Sequence, residues 1–190
     1  MQKLLQEIRK CEICIPELEL GANPILSADE ASKIVIIGQA PGQIVHRNGV
    51  PWKDKSGENL RSWMGIDNEI FYNPKKIALV PMGFCYPGKG KSGDLPPRKE
   101  CAPLWHELLF QKMQNVEMIL LIGKYAQDYY LLQSKKKTLT ETVKNYQDFL
   151  PKFFVLPHPS PRNNIWRAKN EWFEKLVVPK LKEEVKRVLS

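Results

Sequence analysis

The chain has 190 residues, with 29 Lys and Arg against 21 Asp and Glu and a formal net charge of +8. That length suits a single domain, 1–190, whose sheet is covered on both faces, and the basic balance favours a polyanionic partner. No apolar run approaches the roughly 20 residues that span a bilayer, and Met1 to Lys10 has a helix's amphipathic pattern instead of a signal peptide's apolar core, so a cytoplasmic protein with no membrane partner is expected.

In chain order, residues 3–11 read as a helix leading into Cys11-x2-Cys14, followed by a connection with Pro16, Gly21 and Pro24. Ile34-Val35-Ile36-Ile37 is a run of β-branched residues closed by Gly38-x-x-Pro41-Gly42. That is the pattern of a buried parallel strand leaving into a tight loop. The loop carries His46, Pro51, Trp52 and Asp54, and the spacing of Leu60, Trp63 and Met64 then predicts a helix over 56–64 capped by Ser56. Ile77 to Pro81 reads as a second strand. From Gly83 to Arg98 the density of Gly and Pro predicts a long loop.

A helix over 98–113, a strand over 116–122 and a helix over 124–132 opened by Gly123 come next. A loop and short helix over 134–149 lead to the strand 153–156. That strand ends in Pro157-His158-Pro159-Ser160-Pro161-Arg162-Asn163-Asn164, and a helix over 170–188 follows. Strands alternating with helices predict an α/β fold, a three-layer α/β/α sandwich around a mostly parallel four-stranded sheet. In such a sheet the loops after strands one, two and four open on one edge, where ligands bind. Those loops hold most of the His, Asn, Gly and Pro residues. They are the expected site.

The charge pattern narrows the basic residues worth following. Lys135 to Lys137 reads as a solvated loop, and Lys180 to Arg187 as the wet face of the last helix. Arg47, Lys53, Lys55, Arg98 and Arg162 lie near loops with candidate chemistry. The four cysteines are Cys11, Cys14, Cys85 and Cys101. In a reducing compartment, one Cys-x2-Cys with two more cysteines suggests a metal or cluster site more than disulfides. Four thiolates suit zinc or a [4Fe–4S] cluster alike. Four unrelated thiols, some buried as small hydrophobes, are the plainer alternative.

Taken together, Cys11-x2-Cys14, Gly38-x-Ala40-Pro41-Gly42, Gly49-x-Pro51-Trp52, Ser56-Gly57-x-x-Leu60, Cys85-x15-Cys101 and His158-Pro159 form an ordered set. This set resembles the uracil-DNA glycosylase superfamily, in particular its bacterial and archaeal iron–sulfur branch, often called family 4. The likeness runs from about residue 11 to 165. It implies a prokaryotic DNA-repair protein, a structural [4Fe–4S] cluster on the four cysteines with zinc as the alternative, DNA as partner and a monomer in solution. By the same resemblance, Gly38, Gln39, Ala40, Pro41 and Gly42 form the water-activating loop, and Trp52 stacks on the flipped base. His158 faces the base oxygen O2, and Ser160 to Arg162 press into the minor groove.

Two positions depart from that branch. Gln39 stands where it carries an acid, and glutamine takes no proton from water. Pro81 stands where it carries the asparagine that reads uracil, and proline has no side-chain donor. Substitutes are available nearby. Asp54 is a candidate to position or activate the water, or else simply a carboxylate at a helix start. Asn163 and Asn164 offer an amide, or else ordinary turn chemistry. His46 lies in the first motif's loop, whereas His106 and the other tryptophans fit packing.

The expected activity is hydrolysis of the N-glycosidic bond of a flipped base, with Gln39, Asp54 and His158 catalytic. Uracil is the default substrate, and hypoxanthine, xanthine or another lesion remain open. A catalytically weak or inactive DNA- or base-binding protein on the same scaffold, and an enzyme acting on free nucleosides, are the competing readings.

Overall fold

The computed structural model describes residues 1–91 and 93–190. Helix α1 (Gln2–Arg9) buries Leu4, Leu5 and Ile8, and a long connection brings the chain to β1 (Ile34–Ile37). Two short helices α2 (Gln43–Asn48) and α3 (Lys55–Met64), then the single turn α4 (Asn68–Phe71), separate β1 from β2 (Ile77–Leu79). A two-stranded hairpin of β3 (Lys89–Gly90) and β4 (Gly93–Asp94) precedes α5 (Cys101–Lys112) and β5 (Met118–Ile122). The chain finishes with α6 (Gly123–Leu131), α7 (Leu139–Lys144), β6 (Phe153–Leu156), α8 (Asn164–Lys169) and α9 (Val178–Leu189).

The main sheet has the order β2-β1-β5-β6, and every pairing in it is parallel. The β-branched run of β1 explains its central place, because all four residues are fully buried between layers of helix. This is the three-layer α/β/α arrangement that the alternation of strands and helices implied. Among the described residues no helix is long and apolar enough to cross a membrane.

Three local differences from the sequence pattern have physical causes. The stretch after Gly42 coils into α2 and stops at Gly49, whose φ of 69° closes it in the left-handed conformation that glycine adopts freely. The Gly- and Pro-rich loop after β2 folds back on itself as the β3–β4 hairpin, with Lys89 opposite Asp94. At the C-terminus one π-helical turn, Phe173–Val177, precedes α9. Pro179 has no N–H to give to the carbonyl of Lys175, so the regular ladder is interrupted there.

Helices α3 and α9 pack together over the core, and Trp63 meets Phe173 edge to face at 4.9 Å. Leu60 is fully buried there, a position where truncation to alanine typically costs about 2–5 kcal/mol. Because the sheet is parallel, β1, β2 and β6 all end on one edge. Their exits, at Gly38, Pro81 and His158, meet in a single cleft.

Candidate active site

The cleft has a volume of about 460 Å³. Gly38 to Gly42 form its wall at the end of β1, Trp52 and Asp54 one rim, and Gly93 and Asp94 of the hairpin another. Pro81, His158, Ser160, Arg162 and Asn163 complete it. Of the expected substrate-contacting residues, only His46 does not line it. Residues 43–48 form a helix, so Val45 faces the cleft while His46, one position further round, turns its ring towards Tyr86 at 6.1 Å. Asn164 starts α8 and accepts a bond from Arg167, so it too lies outside the cleft. Arg47, Lys53 and Lys55 are exposed and do not line it.

Trp52 is held in a left-handed backbone conformation, φ 57°, which costs a non-glycine residue on the order of 1–3 kcal/mol. Glycines make room for it on both sides. A Cβ at Gly38 would sit 2.7 Å from the indole Cζ2, and one at Gly57 would sit 1.8 Å from the Trp52 carbonyl oxygen. Arg61 donates to that carbonyl at 3.3 Å. The indole stacks on the imidazole of His158, with centroids 5.8 Å apart and planes 27° from parallel.

Asp54, and not Ser56, caps α3: its Oδ1 accepts from the Gly57 N–H at 2.8 Å. An extended Asp followed by a helical Lys-Ser-Gly places the carboxylate over the free N–H groups of the first turn. The Asp54 charge also reaches His158. Burial pushes the His158 imidazole below its ordinary pKa, and Asp54 opposes that push.

The His158 loop is pinned by side-chain amides. Asn59 donates to the Pro159 carbonyl at 2.8 Å and Asn163 to the His158 carbonyl at 2.7 Å. The Ser160 N–H donates to His158 Nδ1 at 3.2 Å. An imidazole nitrogen that accepts a hydrogen bond carries no proton, so the neutral ring is protonated on Nε2. The ring lines the cleft, and no protein partner holds Nε2 among the described residues. The result is a neutral donor beside an aromatic face.

Gln39 reaches across to the hairpin and donates to the Leu95 carbonyl at 3.1 Å. Next to Leu95, the Asp94 carboxylate borders the cleft, with Oδ2 3.6 Å from where a Cβ on Gly42 would stand. Burial lifts its carboxyl above the usual range, while Arg162 and Lys89 pull it down. Sequence reading missed Asp94. Its signal is the Gly93-Asp94 pair inside the long Gly- and Pro-rich loop. Arg162 lies against the same hairpin, its Nη1 2.8 Å from the Cβ position of Gly93.

The cysteines form a second polar neighbourhood. All four are free, and Cys14 and Cys85 pack together with Leu18. Burial raises the thiols of Cys14, Cys85 and Cys101, that of Cys101 to about 11, and charge on the other cysteines adds to the rise at each. Among the described residues no group of three or more His, Cys, Asp or Glu is arranged to hold a metal ion. Four free thiols are the donor type that zinc ions and iron–sulfur clusters take. Arg98 interacts with Cys14 and pairs with Glu100 at 2.9 Å and Glu17 at 3.5 Å, while its Nε has no partner among the described residues.

The sequence pattern of the Uracil DNA glycosylase superfamily matches residues 26–182. The chain belongs to that superfamily. A curated relative, the Type-4 uracil-DNA glycosylase of Thermotoga maritima, is 25% identical over 166 residues, which cover 84% of this chain and 81% of the relative. Among solved structures, the chain is similar to a solution NMR structure of a candidate uracil DNA glycosylase from Methanosarcina acetivorans. That likeness has a TM-score of 0.46 and 17% identity over 85% of this chain and 98% of the other. The superfamily match spans every residue of the cleft except Ile25, together with both cysteines of the 85–101 segment, and starts after Cys11 and Cys14.

Proposed function

We propose that the chain is a monofunctional DNA glycosylase, working as one cytoplasmic domain and a monomer, that hydrolyses the N-glycosidic bond of a uracil or another deaminated or damaged base. The observation that carries this reading is the state of His158: neutral, protonated on Nε2, held by Ser160 and facing a cleft beside an indole. A base in a duplex is extruded before it is attacked, and the Trp52 ring replaces part of its lost stacking. As the C1′–N bond breaks, negative charge grows on the base and positive charge on the sugar. The Nε2–H of His158 stabilises the anion, and a fixed donor in a site shielded from water is worth more than in bulk.

Water supplies the oxygen that bonds to C1′, the bond pair leaves with the base, and the proton lost by the water ends on the departing base or in solvent. Asp54, a carboxylate in the cleft with one oxygen held by the α3 cap, orients that water and offsets the positive charge on the sugar. Gln39 holds the hairpin and takes no proton. Gly38, Ala40, Pro41 and Gly42 shape the wall, Asn163 lines it with its amide spent on the His158 carbonyl, and Ser160 and Arg162 meet the DNA backbone, where cationic contacts give salt-dependent affinity without sequence preference.

Cys11, Cys14, Cys85 and Cys101 would hold a [4Fe–4S] cluster, with zinc as the alternative. Such a group would tie the N-terminal segment to the loop after β2 and takes no part in the hydrolysis. A purified protein that is brown and loses its colour on oxidation supports the cluster; colourless protein with bound zinc supports the alternative.

The deciding experiment treats end-labelled oligonucleotides containing uracil, hypoxanthine or xanthine with the protein and then with alkali. Strand cleavage at the lesion is expected. Binding without cleavage would favour the second reading, a DNA-binding protein on the same scaffold, which the committed amide of Gln39 already recommends.

A further inference from the structure

The sheet order places β2 and β6 at opposite edges, with β1 and β5 between them. Pro81, at the exit of β2, therefore faces the cleft from the end remote from His158, at the exit of β6. A base whose oxygen meets His158 turns its far edge towards Pro81. Among the described residues, the backbone around Pro81 offers that end no free donor. Pro81 has no N–H, and the neighbouring N–H groups are committed to the first motif loop and β1: Val80 to Ile36, Met82 to Gly38 and Gly83 to Gln39, all at 2.9–3.0 Å.

The Pro81 carbonyl is engaged from the interior. His106 lies within 3.1 Å of it through Nε2, in a fully buried contact. A carbonyl only accepts, so Nε2 carries the proton. In the neutral ring Nδ1 then accepts from the Tyr130 hydroxyl, its other partner. Phe84 stacks beside the imidazole, ring centroids 5.7 Å apart. His106 and Tyr130 thus hold the Pro81 carbonyl towards the core.

We infer that the cleft does not read the base edge remote from His158. It accepts 2-oxopyrimidines with either a keto or an amino group at position 4, and selection between them falls to the ease of extrusion from the helix. The inference rests on the glycosylase reading and names its substrate class. A site built to hydrogen-bond a group rejects the analogue that lacks it by about 10⁴–10⁵. With no such group at Pro81, that position does not separate one base from another, whereas the cost of unpairing and unstacking does, and it is lowest for mispaired or single-stranded bases.

The test compares kcat/KM for uracil and cytosine in the same single-stranded oligonucleotide, where neither is paired. A ratio within roughly tenfold is expected, and the ratio should widen at least a hundredfold in Pro81→Asn, which places an amide at that end. A uracil preference of 10⁴ or more in the unaltered protein would overturn the inference, while uracil excision itself would leave the glycosylase reading standing. Excision of neither base would overturn the inference, and the glycosylase reading would then stand or fall on the hypoxanthine and xanthine oligonucleotides. If Pro81→Asn does not fold, the ratio in the unaltered protein alone decides.

Discussion

His106 and His158 are both held below the ordinary histidine pKa by burial, His106 to about 4, yet they serve opposite ends. Both nitrogens of His106 are engaged inside the protein, one with Tyr130 and one with Pro81. His158 has only Nδ1 engaged, by Ser160, and keeps Nε2 for the cleft. The same side chain, desolvated in the same way, becomes a strut where its polar atoms are satisfied and a reagent where one is left over. The difference lies in what surrounds the ring, not in the ring.

The largest effect expected from breaking this comparison is at His158. Replacing it by alanine should lower single-turnover base excision by about 10²–10³, the usual consequence of losing one fixed donor to a developing anion. DNA affinity should change little. Equal rates in variant and parent would remove His158 from the chemistry.

His106→Ala should act on stability instead. It leaves a buried carbonyl and hydroxyl without their partner and opens a cavity, together worth about 3 kcal/mol. For a chain of this size that lowers Tm by roughly 6–12 °C, read by thermal melts. The His106 titration supplies a companion test. Its folded pKa lies below the unfolded value, so the unfolded chain binds the proton more readily between pH 6.5 and about 4. Stability should therefore fall by about 3 kcal/mol as the pH drops through that window. Denaturant melts of His106→Phe, a ring that does not titrate, should lack this contribution.

The smallest effect separates two jobs of Asp54. Asparagine caps a helix about as well as aspartate, so Asp54→Asn should leave Tm unchanged while reducing excision. Asp54→Ala should in addition lose about 1 kcal/mol of stability. An Asp54→Asn variant with full activity would reduce Asp54 to a cap.

The sheet was legible because its strands are written in β-branched and aliphatic runs that only a doubly covered position tolerates, Ile34 to Ile37 above all. The convergence of Gly38, Trp52 and His158 followed from parallel strands and from the motif order. What stayed hidden depended on geometry that spacing does not carry. One helical step sends Val45 to the cleft and His46 to Tyr86. Asp94 comes into the site only because a Gly-rich loop folds into a hairpin. His106 fits packing from its place mid-helix, but its bond to the Pro81 carbonyl depends on a fold that brings residues 25 positions apart together.

The bond from Gln39 to the Leu95 carbonyl has a consequence for anyone who would rebuild the ordinary glycosylase loop here. Exchanging the amide for a carboxylate alters the side chain by a single group, yet it replaces a donor with an acceptor directly opposite another acceptor. The two oxygens would repel, and the hairpin that bears Asp94 and meets Arg162 would swing from its latch. In this chain the first motif loop is a hinge pin as well as a wall, and a reagent installed there would loosen the door it was meant to serve.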